Sequence, residues 1–324
     1  MHRRFLLQAA PASLTLSAPA LAQEAWPGRG ITSLVGVAPG GTADLAARLL
    51  AQEFARGLSR GRPVVVENKP GAATQLATAE LARSAPDGQV LLVAGAPFAI
   101  NPGLFPRLPY DSRADIAPVG MLVRNGLMLL VPVASPARDL DGLLDLARAR
   151  GGINLASAGN GSMSHLAIEL LAQRSGAPLV HVPYRGTGPA LPDLLAGHVE
   201  AMFDNPSSAL PLVREGKLRA LAYTGGTRSP AAPAVPTLAE ATGVGGLAAE
   251  NWFGLFARAG TPAPVLDRLA AAARAVLEDP AVTDRLRRDG TEPSPMARAA
   301  FAAFVAREMD GWAGVIRARG IRPG

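Results

Sequence analysis

The chain has 324 residues, 48% of them hydrophobic, 18% charged and 5% aromatic, with 35 glycines, 29 prolines and no cysteine. That is enough apolar material for one or two cores, and it excludes a disordered chain, a collagen-like repeat, a disulfide scaffold, thiol catalysis and Cys-ligated metals. The net charge of +6 is almost wholly arginine, with Lys69 and Lys217 the only lysines; Arg56, Arg148, Arg214, Arg268 and Arg317 are scattered among acids, so no nucleic-acid partner is expected.

Residues 1–22 read as an export signal. Arg3 and Arg4 form the charged head, Phe5 to Leu21 is apolar or small, and Ala20-Leu21-Ala22 fits a cleavage site that would leave Gln23 as the first mature residue. Pro11 and Pro19 interrupt the run, which is too short for a permanent anchor. The arginine pair leaves both the twin-arginine and the ordinary secretory routes open. No later apolar stretch reaches membrane-spanning length. A soluble exported protein is expected, periplasmic or lipid-free at the outer face.

Beyond that point short apolar strands alternate with helical stretches, the pattern of an α/β protein with largely parallel sheets. Strands are expected at 31–37, 64–66, 90–94, 126–133, 153–157, 179–183, 200–203, 218–223 and 252–257. Helices are expected from Ala43, over 74–84 and 140–150, after Ser162 through Leu171, briefly after Pro189, and over 264–277, 281–288 and 297–317. No fixed-period repeat is present.

Three loops share one design of strand, Gly-rich turn and helix start: Pro39-Gly40-Gly41-Thr42, Gly159-Asn160-Gly161-Ser162 and Gly186-Thr187-Gly188-Pro189. A helix N-terminus offers unpaired N–H groups and positive dipole, and glycine lets a ligand approach. Any one loop could serve only to turn and cap the chain; three together point to an anion or carboxylate site. None carries the Lys of a P-loop. Gly186-Thr187-Gly188 meets Leu191 where a dinucleotide fingerprint wants glycine, although Asp204 lies at a suitable distance, and Ser162 and Ser164 lack the glycine of a nucleophile elbow. His165 and Glu169 stand one helical turn apart, yet no spacing brings His181 or His198 in as a third metal ligand. A capping or hydrogen-bonded His165 is the simpler reading, and no metal or cofactor is expected. Asp44 is either a structural cap or a partner for a ligand's amine or hydroxyl.

Taken together, Pro39-Gly40-Gly41 through Asp44, Val64 through Gly71, Ala85-Pro86-Asp87-Gly88, Asn101-Pro102, Leu108-Pro109-Tyr110-Asp111, Ser157 through Ser162 with His165-Leu166-Ala167, His181 through Gly186, Met202-Phe203-Asp204-Asn205, Val235-Pro236-Thr237 and Trp252 through Leu255 resemble the Bug family, the TctC-type extracytoplasmic receptors of tripartite tricarboxylate transporters. The resemblance implies a two-lobed, type II periplasmic-binding-protein fold, with residues 23–129 plus 250–324 in one lobe and 130–249 in the other. It implies a non-enzymatic, monomeric receptor that closes over a small organic carboxylate and serves transporter membrane subunits; a sensor presenting its bound form to a signalling partner, or an exported hydrolase or dehydrogenase, are the alternatives. The ligand-binding residues it implies are Pro39, Gly40, Gly41, Thr42, Asp44, Phe98, Ser157, Asn160, Gly161, Ser162, His165, Tyr184 and Asp204.

The chain departs from the family pattern at three places. Val35-Gly36-Val37 stands where Val-Pro-Phe is usual, Gly71-Ala72-Ala73-Thr74 where Gly-Ala-Gly-Gly is usual, and Arg185 where Lys is common. Losing an aromatic at Val37 opens room for a bulkier, ring-bearing carboxylate, unless Phe98 swings in to fill it.

Overall fold

The computed structural model describes residues 26–243 and 249–319; the signal-like stretch lies outside the described residues. The chain first runs through β1 (Ile31–Val35), α1 (Thr42–Gly57), β2 (Val64–Asn68), α2 (Gln75–Arg83), β3 (Val90–Gly95), α3 (Ala96–Leu104) and β4 (Ile116–Gly126). It then passes into β5 (Met128–Pro132), α4 (Leu140–Arg150), β6 (Ile153–Ser157), α5 (Met163–Ser175), β7 (Leu179–Pro183), α6 (Thr187–Ala196), β8 (Ala201–Asp204), α7 (Pro206–Arg214) and β9 (Leu218–Tyr223). After α8 (Leu238–Thr242) it returns through β10 (Glu250–Arg258), α9 (Ala263–Glu278), α10 (Pro280–Arg288), β11 (Glu292–Met296) and α11 (Arg298–Arg319).

The strands form two sheets of the same plan. One has the order β11-β4-β10-β3-β1-β2, the other β7-β6-β8-β5-β9. In each, three strands are parallel, β2-β1-β3 and β7-β6-β8, and the strand that arrives from the other half of the molecule, β10 or β5, enters antiparallel. The expectation of largely parallel sheets is corrected accordingly. A strand that crosses straight over a hinge meets its new sheet from the opposite direction, whereas only a strand returned by a helix can pair parallel.

β4 was not anticipated as a strand, because Pro118, Gly120, Arg124 and Asn125 interrupt its apolar run; it forms because β10 and β11 flank it on both edges. The C-terminal helix α11 covers the first sheet. Phe301 is fully buried against Trp252 and Phe256, and its ring lies where a Cβ on Gly254 would have to sit, 2.1 Å from the Phe301 Cζ. Glycine in the middle of this strand is therefore the seat of the helix. Among the described residues, no helix is long and apolar enough to cross a membrane.

Candidate functional site

A cavity of about 560 Å³ lies between the two sheets, at the carboxyl ends of their parallel strands. Its walls are the loops that leave β1, β2, β6, β7 and β8. Above all it is lined by the first turns of helices. The helices α1, α6 and α7 start after Gly41, Gly186 and Asn205, none of which makes a side-chain capping bond, and α2 and α3 start in the same way after Thr74 and Gly95, which also line the cavity. Thr42, Thr187, Asn205 and Ser208 from these turns all face the cavity. Arg185 is the one cationic side chain among the lining residues. Helix starts gathered around one space form an anion site built from backbone.

The third sequence loop behaves differently from the other two. Ser162 accepts from the His165 amide at 3.2 Å and donates to the Gly159 carbonyl at 2.6 Å, so α5 caps itself. α7 is an uncapped helix start at the cavity that no Gly-rich loop precedes.

Of the residues singled out from the sequence, Pro39, Gly40, Gly41, Thr42, Asn160, Ser162, Tyr184 and Asp204 line the cavity. Asp44, Ser157, Gly161 and His165 stand behind the wall. Phe98 does not reach it: it is 1% exposed, with its ring 4.6 Å from that of Phe256. Its neighbour Pro97 faces the cavity, and one residue further along α3 the side chain is turned about 100° away, into the core. The space beside Val37 is thus not filled by Phe98; the aromatic walls are Phe105, Phe203, Phe253 and Tyr184.

Asp44 organises the first loop from beneath. It accepts from the Gly40 amide at 3.1 Å, Arg48 Nε at 2.9 Å and Asn68 Nδ2 at 3.0 Å. Burial acts to raise its pKa, but the bonds from Arg48, Gly40 and Asn68 and the Arg48 charge outweigh it, and the value lies below the ordinary 3.8. Asp44 is therefore a structural anchor of the first loop. Because its pKa is depressed on folding, its contribution is full above pH 4 and is lost as pH falls through the folded value. Asp44→Asn is expected to lower stability at pH 7 by about 1–2 kcal/mol, the lower end of the range because Arg48 is half-exposed. Urea titrations at pH 7 and pH 3 check this, since the gap between variant and parent should narrow in acid.

Ser157 and His181 form a hydroxyl–imidazole pair at 2.6 Å. It is not a nucleophile and base: Ser157 is fully buried, and burial together with the facing His165 depresses the His181 pKa to about 3. The His165 and His181 rings stack at 3.9 Å, and His165 Nδ1 accepts from the Gly161 amide at 3.2 Å, so the two neutral rings prop the Gly159–Ser162 loop. No cluster of metal-ligating side chains occurs among the described residues.

The turn after β2 is the most strained part of the wall. Ala72, Ala73 and Thr74 have φ of 45°, 50° and 69°, three consecutive left-handed residues without a glycine. The surroundings hold them there: Asn101 Nδ2 donates to the Ala73 carbonyl at 2.8 Å and Thr78 Oγ1 to the Thr74 carbonyl at 3.1 Å. Thr74 in turn leaves no space for a side chain at Gly36, where a Cβ would stand 2.6 Å from its own. Two of the departures from the family pattern are in direct contact, the small residue at 36 accommodating the large one at 74. Ala73→Gly should relieve about 1 kcal/mol of strain and raise the Tm by about 2 °C, measured by calorimetry.

At the junction of the sheets three amides form a relay that the sequence did not suggest. Asn125 Nδ2 donates to the Gly126 carbonyl at 2.8 Å and to Asn205 Oδ1 at 2.9 Å, and Asn251 Nδ2 donates to the same Asn205 oxygen at 3.2 Å. The fixed backbone carbonyl sets the orientation of all three. Asn205 accordingly turns its Nδ2 donor away from the relay, and the residue lines the cavity. The rims of the cleft also touch, with Thr42 Oγ1 3.0 Å from Ser207 Oγ.

Two mixed sheets that exchange one strand each, with a cleft at the strand ends, define a two-lobed periplasmic-binding-protein fold. Comparison with known proteins gives the family. The model described as the tripartite tricarboxylate transporter family receptor matches residues 46–321. Protein BugT of Bordetella pertussis is 36% identical over 314 residues, covering 96% of this chain and 95% of BugT. Two solved structures are similar throughout. MatC from Rhodopseudomonas palustris with bound malate has a TM-score of 0.83 and 36% identity, over 90% of this chain and 100% of that one. R. palustris Rpa4515 with adipate has a TM-score of 0.87 and 31% identity, over 92% and 100%. The chain belongs to the tripartite tricarboxylate transporter receptor (TctC) family, whose members are periplasmic binding receptors and not enzymes.

Proposed function

We propose that this protein is a periplasmic receptor that captures a small organic carboxylate between its lobes and hands it to the membrane subunits of a tripartite tricarboxylate-type transporter. The observation that carries the reading is the convergence of the uncapped N-termini of α1, α6 and α7 on one cavity that has a single cationic side chain among its lining residues. Carboxylates fit such a site, and the similar MatC and Rpa4515 hold malate and adipate. In this reading Pro39, Gly40, Gly41, Thr42, Asn160, Ser162, Tyr184 and Asp204 face the ligand. The lobes are 23–129 with 250–324, and 130–249, and the working unit is a monomer. Export removes residues 1–22, so N-terminal sequencing of the native protein should begin at Gln23; an intact Met1 would refute this.

Thermal-shift screening of mono- and dicarboxylates, followed by calorimetry, tests the function. A ligand at 100 times its Kd should stabilise the protein by about 2.7 kcal/mol. Steady release of a product from a bound acid would overturn the receptor reading. Val37 sets ligand size: the natural protein should prefer a ring-bearing acid such as phenylacetate to succinate. Val37→Phe should shift that preference at least about tenfold toward succinate, since an aromatic ring fills 150–250 Å² of wall. An unchanged ratio by calorimetry would show that residue 37 does not set size.

A further inference from the structure

Asp204 is 1% exposed at the end of β8, and no cation pairs with it among the described residues. Its two oxygens are held by hydroxyls, Oδ1 by Thr187 Oγ1 at 2.8 Å and Oδ2 by Ser208 Oγ at 2.6 Å. Both hydroxyl-bearing residues line the cavity, and Thr187 is the first residue of α6, one of the uncapped helix starts there. Ser208 has a second acceptor, the Asn205 carbonyl at 3.1 Å, whereas Thr187 has none among the described residues.

This geometry fixes what the cleft offers an anion. While Asp204 is ionised, it accepts only, so the Thr187 hydroxyl must spend its hydrogen on Oδ1 and can show the cleft nothing but lone pairs. A carboxylate placed at the start of α6 would meet those lone pairs and a buried negative charge behind them. Once Asp204 is protonated on Oδ1, it becomes the donor to Thr187 Oγ1, and the Thr187 hydrogen is freed to turn toward the ligand.

We propose that the cleft takes up its carboxylate together with one proton from solvent, which Asp204 accepts so that Thr187 can donate to the bound anion. The inference rests on the carboxylate-receptor reading above. Asp204 is a positioning residue here, acting through Thr187.

The groups that face Asp204 leave it the natural acceptor of that proton. Beside it in the sheet, β5 and β6 bring no titratable side chain. Tyr223 on β9 is engaged with the Gly126 amide. From α5, His165 is neutral behind the wall with Glu169 Oε1 3.8 Å from its Nε2, and Arg174 is exposed; from the α6 segment, Tyr184 is bonded to Asp193, which also meets His198, and Arg185 stands at the cavity wall. Arg214 at the far end of α7 is bonded to the Arg288 carbonyl, and across the cleft Asp44 is neutralised by Arg48. Burial is the main cause that lifts the Asp204 pKa to about 6, against the bonds from Ser208 and Thr187 and from the Asn205 backbone, so the proton is acquired near neutrality.

Calorimetry of the full chain with adipate and with malate, in buffers of different ionisation enthalpy, counts protons directly. At pH 7 we expect uptake of close to one proton per bound acid, and an affinity that falls about tenfold per pH unit above that. Asp204→Asn, whose amide donates at any pH, should abolish both the uptake and the pH dependence; Thr187→Val should reduce affinity and the uptake together. Saturable binding with no proton uptake overturns the inference and leaves the receptor reading standing, and so does uptake that persists undiminished in Asp204→Asn. The wild-type count decides alone if that variant does not fold. If neither these acids nor any other carboxylate in the panel binds, the receptor reading falls and the inference with it.

Discussion

Gly254→Ala is expected to lower stability by about 3 kcal/mol, the upper part of the range for forcing one carbon into a packed core. The added methyl would meet the Phe301 ring at 2.1 Å, and that ring is wedged against Trp252 and Phe256 with no free volume to rotate into. The pairing with β4 shifts register between Phe253 and Gly254, but Gly254 lies outside the left-handed region, so the loss is steric and not conformational. A flexible side chain would yield, but a ring must move with its helix, and α11 would be lifted from the sheet. For a chain of this size the Tm should fall by about 6 °C. The double variant with Phe301→Leu should recover more than half of the loss, because the neighbours are coupled. Strictly additive costs would show that Phe301 is not the obstacle.

Asn205→Asp is expected to separate binding from folding. The substitution keeps an oxygen for Asn125 Nδ2 and Asn251 Nδ2, so the relay and the stability should survive nearly unchanged. What changes is the atom turned to the cleft, from an amide donor to a carboxylate oxygen. A donor lost and a like charge gained beside a carboxylate ligand should reduce affinity by about a hundredfold at pH 7. Asn205→Ala, by contrast, leaves the buried Asn251 amide without its acceptor and should cost about 1–3 kcal/mol of stability as well. Calorimetry with adipate and urea titration of both variants tell the two effects apart. Full affinity in Asn205→Asp would remove Asn205 from the ligand's surroundings.

Much of the fold was legible because it is written in short-range pattern. The strands at 153–157, 179–183 and 218–223 and the helix at 140–150 fall where alternation and helical spacing put them. Elements whose stability comes from neighbours were not. β4 is interrupted by proline, glycine and charge, β11 contains Pro293 and Pro295, and α7 begins with Pro206 and contains Pro211. The same division runs through the site. Gly-rich loops announce helix starts, so the loops that bring Pro39–Thr42, Gly159, Asn160, Ser162 and Gly186–Gly188 to the cavity stand out in the sequence. Asn205, Asn251 and Thr74 were missed because an amide relay or a left-handed turn leaves no local signature; each is a relation between residues far apart in the chain. Phe98 was misplaced for the related reason that an aromatic beside a loop looks the same in sequence whether it turns to the cleft or to the core.

The interleaving of β10 between β3 and β4 has a consequence for biogenesis. The first lobe cannot close its sheet from its own N-terminal segment, because β3 and β4 never pair with each other and each waits for a strand that begins at Glu250. Until that strand has left the ribosome, the apolar edges of the first three strands and of β4 have no common partner. The first sheet therefore closes only when the last third of the chain arrives, after the second sheet already has all of its strands by Tyr223.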